Sequence, residues 1–163
     1  MSSAPRDKNF AVGVLDHPAR QLIGVKTRNN IQNCQTNCPT FWPNTFAPWI
    51  HQLHTEGKFP SWGAFCAYDP ATGDFDYWAA THPPKDRPHP ATLQKIILPG
   101  GLYAECALTS VTEIHTAYHF LYSRWLPAQS GYIGLENALS FEYYPPDFLQ
   151  TGRLSICIPI ASR

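Results

Sequence analysis

The chain has 163 residues, a length that fits one domain with a substantial buried core. Charged residues are 15% of it, against a usual value of about 25%, while 5 Trp, 8 Tyr and 9 Phe make it rich in aromatics. Lys plus Arg (12) balance Asp plus Glu (12) and no basic run occurs, which removes the electrostatic footprint of a nucleic-acid binder; no apolar run approaches the roughly 20 residues of a membrane-spanning helix.

Met1 to Asn9 is polar and reads as a loosely attached tail. It lacks the hydrophobic segment of a signal peptide, so a cytosolic protein is expected. Phe10 to Leu15 is a short apolar run, an edge strand ended by His17-Pro18. Gln21 to Thr27 is a strand by its branched residues, and Arg28 to Asn37 is polar and loop-like. Over Pro39 to His54, Trp42, Phe46, Trp49, Ile50 and Leu53 follow a 3.6-residue period and form one apolar helix face, which Pro48 should kink or split.

Trp62 to Asp69 is a strand in which alternation puts Trp62, Ala64, Cys66 and Tyr68 on one face. A turn over Asp69 to Asp74 returns the chain as Phe75 to Ala80, which makes a hairpin. The proline-rich stretch 81–92 connects two halves. Gly101 to Leu108 is the next strand. Ser110 and Glu113 then form a capping box for a helix that runs to about Trp125, with Ile114, Tyr118, Leu121, Tyr122 and Trp125 on its apolar face and Pro127 as its stop. Ser140 to Tyr144 and Arg153 to Pro159 close the chain as strands. The order strand, helix, strand, strand thus occurs twice; periodicity alone makes the chain α+β, and two such units can pack as a pseudo-twofold pair.

The last strands carry the residue of greatest interest. In Ser140 to Tyr144, alternation sets Phe141 and Tyr143 on one face and Ser140, Glu142 and Tyr144 on the other. A strand glutamate is ordinarily solvated. A carboxylate among so many aromatics instead asks for a partner.

Trp125-Leu126-Pro127, Ser130-Gly131-Tyr132 and Phe141-Glu142-Tyr143-Tyr144, in this order and spacing, resemble the GyrI-like small-molecule-binding family, over about Gln21 to Ile160. That family includes effector-binding domains of bacterial multidrug regulators and free-standing proteins such as the DNA gyrase inhibitor. The resemblance implies two halves of the SHS2 type around a central ligand pocket. It implies that Glu142 faces this pocket and attracts cationic, lipophilic compounds. A carboxylate in such a pocket has a raised pKa, which a ligand cation offsets, and aromatic walls add about 0.5–2 kcal/mol per good cation–π contact.

The resemblance also marks Tyr103, in Pro99 to Ala104, as approaching the pocket. Trp62 and Tyr68, Trp42 and Phe46 on the first helix, Trp125 at the corner and Tyr144 beside Glu142 are further candidates to line it. For each the alternative is ordinary core packing. Glu105 shares a strand face with Tyr103 and is either a pocket acid or a rim acid.

Other chemistry is thinly supported. His115 and His119 are four apart on a helix, a spacing that can share a metal, but no third ligand is in view. Cys34 and Cys38 lack a second cysteine pair, and Cys66, Cys106 and Cys157 read as small core residues. No cofactor and no metal is expected. Neither a phosphate-binding glycine loop nor a G-x-S-x-G nucleophile elbow occurs.

The leading expectation is a free-standing binding protein for aromatic or cationic compounds, a sensor or sequestering protein with no helix-turn-helix ahead of it. The alternative is a hydrolase opening strained cyclopropane-type electrophiles, with Glu142 activating water and Tyr103 donating to the oxyanion. A partner-protein role, as for the gyrase inhibitor, would call for a charged patch that this composition does not offer. Haem binding through the similar SOUL fold would rest on His115 or His119 alone.

Overall fold

Alternating branched and aromatic residues, punctuated by Gly and Pro, set nine strands among the described residues. In the computed structural model the described residues are 8–33, 42, 59–86 and 88–163. The strands are β1 (Val12–His17), β2 (Arg20–Asn30), β3 (Ser61–Asp69), β4 (Asp74–Thr81), β5 (Gln94–Leu98), β6 (Gly101–Leu108), β7 (Tyr132–Gly134), β8 (Ser140–Tyr144) and β9 (Leu154–Ser162). They pair antiparallel in the order β1-β6-β9-β8-β3-β4-β2-β5, with β7 added to β9. Two helices accompany them among the described residues, α1 (Ile114–Phe120) and the single turn α2 (Phe148–Thr151). The fold is α+β, dominated by the antiparallel sheet.

The strand order has a regular form. β3 and β8 meet at the centre, flanked by β4 and β2 on one side and by β9 and β6 on the other. β1 precedes β2 in the chain yet pairs with β6, and β5 precedes β6 yet pairs with β2. The second exchange uses a strand, Gln94–Leu98, that directly follows the proline-rich connector and has no long alternation to announce it. Pro159 sits where β9 ends its pairing with β8 at Cys157 and has not yet begun pairing with β7 at Ile160. A residue without an N–H is tolerated at such a gap.

The second-half helix starts and stops where the sequence indicates, but its last turns are not α-helical. Ser110 Oγ accepts the Thr112 N–H at 3.2 Å, and Glu113 reaches back to accept from the Thr109 N–H and hydroxyl, each at 2.9 Å. The box is thus shifted by one residue, because the chain enters through a 3-10 turn, Val111–Glu113. After α1 the helix widens into a π-turn, Leu121–Trp125, and closes with a 3-10 turn, Leu126–Ala128. Pro127 supplies no N–H to the Ser123 carbonyl and crowds it, so the α-pattern cannot continue. The buried stripe is Ala117, Phe120 and Leu121, while Tyr122, expected on the apolar face, is exposed.

A bulge corrects another expectation. Pairing of β3 with β4 slips between Cys66 and Asp69, with Ala67 at φ 53. This breaks the alternation, and Tyr68 leaves the Trp62 face to lie 6.2 Å from the Phe65 ring, 37% exposed. The helix expected over Pro39 to His54 falls outside the described residues apart from Trp42, as do Phe46, Cys34 and Cys38. Of the tail expected to be loose, positions 1–7 are likewise outside; Lys8 pairs with Glu113 and the Phe10 ring lies 5.6 Å from Phe120.

The sheet buries both faces. On one, α1 packs Ala117, Phe120 and Leu121 over Ala104, Cys106, Ile156 and Ile158. On the other, Trp62, Trp78, Leu22, Leu98, Tyr103, Phe141 and Cys157 pack together. Each large side chain so buried contributes about 1.5–3 kcal/mol. None of the described helices is long and apolar enough to cross a membrane.

Candidate functional site

Glu142 lies mid-strand in β8, opposite Gly63 of β3 and Ile156 of β9, on the face that α1 covers. Its residue exposure is 8%, and no Lys, Arg or His pairs with it among the described residues. Two phenols do. The hydroxyls of Tyr77 and Tyr144 each donate to Glu142 Oε2 at 2.8 Å. Trp42 Nε1 in turn donates to the Tyr77 oxygen at 2.9 Å, and the Trp42 ring stands edge-on to Tyr144 at 5.2 Å. Tyr118 of α1 is half-buried close by, with Ser140 beside it.

Gly63 makes this convergence possible. A Cβ there would stand 2.4 Å from both Glu142 Oε2 and the Tyr77 hydroxyl. Tyr77 sits on β4, separated from β8 by β3, so the carboxylate and the phenol meet directly over the bare backbone of Gly63.

Burial pushes the Glu142 carboxyl above its usual range, and the two phenol hydrogen bonds pull it part of the way back. Burial, and then the Glu142 charge, hold the Tyr77 and Tyr144 phenols well above their ordinary value. Tyr118 is raised for the same two reasons. All three phenols therefore remain protonated at neutral pH. The arrangement is a partly desolvated carboxylate held by neutral donors inside an aromatic wall.

The other residues marked from sequence divide between the faces. Tyr144 and Trp42 join Glu142. Trp125 is half-buried at the end of the helix, packed on the cluster beneath α1. Tyr103, Trp62 and Glu105 point to the opposite face. The Tyr103 ring lies 5.1 Å from Phe141, its hydroxyl donates to the Pro99 carbonyl at 2.6 Å, and Trp62 lies 5.3 Å from Tyr143. A mechanism that uses Glu142 and Tyr103 on one substrate does not fit, because the sheet stands between them. Glu105 is partnered by His17. His115 and His119 are exposed on α1.

Tyr77 escaped the sequence reading. It looks like an ordinary strand aromatic, and only the pairing of Gly63 with both Glu142 and Ala79 brings it across. A glycine within an otherwise strand-like Trp62 to Tyr68 was the available signal. A shallow cleft of about 290 Å³ opens elsewhere, bordered by Glu105, Tyr143, Pro145 and Arg153, and includes neither Glu142 nor its tyrosines.

Residues 16–160 match the family model of the integron-associated effector-binding protein, Cass2. An integron cassette protein from the mobile metagenome of Vibrio cholerae superposes with a TM-score of 0.62 at 16% identity, over 93% of this chain and 95% of that one. SAV2435, in its structure bound to tetraphenylphosphonium, gives 0.69 at 14% identity, over 93% and 94%. The EcmrR C-terminal domain gives 0.63 at 8% identity, over 94% and 99%. At these identities the structural likeness is one of fold. No curated protein sequence matches the chain.

Proposed function

The chain belongs to the integron-associated effector-binding proteins, a GyrI-like family, and from that premise we propose that it binds lipophilic, aromatic cations at Glu142 as a sensor or sequestering protein. The observation that carries this reading is a buried carboxylate whose hydrogen-bond partners among the described residues are two neutral phenols. Ionised, it has no countercharge among the described residues. A ligand cation supplies one, and the rings of Trp42, Tyr77, Tyr118 and Tyr144 offer π-faces to a delocalised charge. SAV2435 is a relative in fold that binds such a cation.

Because Glu142 is buried, the ligand reaches it by displacing a neighbour. Trp42, which leans on both Tyr77 and Tyr144, is the side chain we assign to that movement. Both phenols donate to Oε2, and among the described residues that leaves Oε1 to face the cation.

The same reading takes the strand order as a duplication. β6-β9-β8 and β2-β4-β3 are equivalent halves that meet at β3 and β8, and Glu142 sits on that central pair. A central position is where one ligand contacts both halves.

Tryptophan-fluorescence titration with tetraphenylphosphonium tests the proposal. Saturable quenching is expected, with affinity at least about 10-fold weaker in Glu142→Gln, since the substitution removes one partner of a desolvated ion pair. The compound should be recovered unchanged. Equal affinity in the two proteins, or no binding by wild type, overturns the reading.

A further inference from the structure

On the face opposite Glu142, three strands bring together donors of three kinds. His17 Nε2 of β1, Glu105 Oε2 of β6 and Cys157 Sγ of β9 all lie within 4.8 Å of one another. The His17–Glu105 separation is 3.0 Å and the Cys157–Glu105 separation is 3.6 Å. We propose that His17, Glu105 and Cys157 form a binding site for a divalent transition metal of the zinc class.

Topology accounts for the convergence. β6 lies between β1 and β9, and Glu105 stands directly opposite Cys157 on one side and Gly13 on the other. Gly13 has no side chain, and a Cβ there would meet nothing within 4 Å. The space over Gly13 is therefore open, and the Glu105 carboxylate lies against the His17 imidazole. The imidazole is braced edge-on by Tyr103 at 5.4 Å and by Phe141 at 5.9 Å.

The distances suit a metal. A tetrahedral centre with bonds of about 2.0–2.3 Å separates its ligand atoms by about 3.2–3.8 Å. The two separations that Glu105 makes, 3.0 Å and 3.6 Å, are near that range, and His17 and Cys157 lie within 4.8 Å of each other. Cys157 is buried, while the His17 and Glu105 side chains are 22% and 26% exposed, so the open side faces solvent and a water can complete the set. One thiolate, one imidazole and one carboxylate suit zinc or cobalt; magnesium and calcium take oxygen donors. Binding expels the thiol proton to solvent, and the two negative ligands neutralise the dication. The bound ion ties β1 to β9 across β6. This site is separate from Glu142 and does not depend on the ligand proposed there.

The whole chain, reduced and stripped of metal, is titrated with Co²⁺ and then with Zn²⁺. One equivalent of cobalt is expected, with a sulfur-to-cobalt charge-transfer absorption in the near ultraviolet and the visible bands of a four-coordinate ion, displaced by zinc. Cys157→Ser should lose the charge-transfer absorption. His17→Gln and Glu105→Gln should keep it but bind at least about 10-fold more weakly. The double variant Cys34→Ser, Cys38→Ser should behave as wild type. Failure of the wild type to bind cobalt overturns the proposal. So does an absorption that survives in Cys157→Ser or vanishes in the Cys34/Cys38 variant. Should Cys157→Ser not fold, the other two decide, and unchanged cobalt affinity in both overturns the site.

Discussion

Phe141 and Glu142 are neighbours on one strand and lead opposite lives. Phe141 packs with Trp62, Tyr103 and Cys157, and its neighbours meet it through ring contacts. Glu142 also enters an aromatic layer, yet its polar atoms organise it: two phenols donate to the carboxylate, and the Trp42 indole N–H donates to one of those phenols. Packing stabilises the first face. The second carries a charge that packing alone would never select, and perturbed carboxylates of this kind concentrate at functional sites.

The sharpest way to break the comparison is to remove the Phe141 ring. Phe141→Ala should lower unfolding free energy by about 3–5 kcal/mol, read from urea denaturation, because a buried ring is replaced by a cavity. A loss near zero would mean that this face is not a packed core. A smaller effect is expected where the two layers share a strand. Gly63→Ala puts a methyl where the carboxylate and the Tyr77 hydroxyl now meet, at 2.4 Å from each. Overpacking of this kind costs about 1–3 kcal/mol, and tetraphenylphosphonium affinity should fall with it. A variant as stable as wild type, with unchanged affinity, would show that Glu142 and Tyr77 do not need to meet.

The smallest effect has the most informative sign. Burial raises the Glu142 pKa in the folded state, so its ionisation opposes folding. Its contribution is fully present below the unfolded-state value and is lost as pH rises through the folded-state value. Glu142→Gln should therefore gain thermal stability over wild type as pH is raised from about 4 to about 7, starting above a usual glutamate value of about 4.3. A gap that narrows with rising pH would mean that the ionised carboxylate is stabilising as it stands, and the case for a missing cation would weaken.

Much of the scaffold was legible in the linear chain. Period-two alternation in Gly101 to Leu108 and Ser140 to Tyr144 gives those strands and puts Glu142 and Tyr144 on a common face. Ser110 and Glu113 announce the helix start, and Pro127 its end. These signals are local, since they depend on a residue and its near neighbours. β5 was not legible, since five residues after a proline-rich run carry too little pattern.

The tertiary structure decided which residues surround Glu142. Strand pairing joins positions as distant as Tyr77 and Glu142, and register determines which of them meet. Alternation along one strand cannot tell which face of the next strand it shares. Tyr103 and Trp62 therefore looked equivalent to Tyr144 until the register put them behind the sheet. The same cause hid the His17, Glu105 and Cys157 cluster, whose members come from three strands. The sequence by itself determined that an acid would stand among aromatics on a strand; only the stacking of β3, β4 and β8 over a bare Gly63 decided which phenols would hold it.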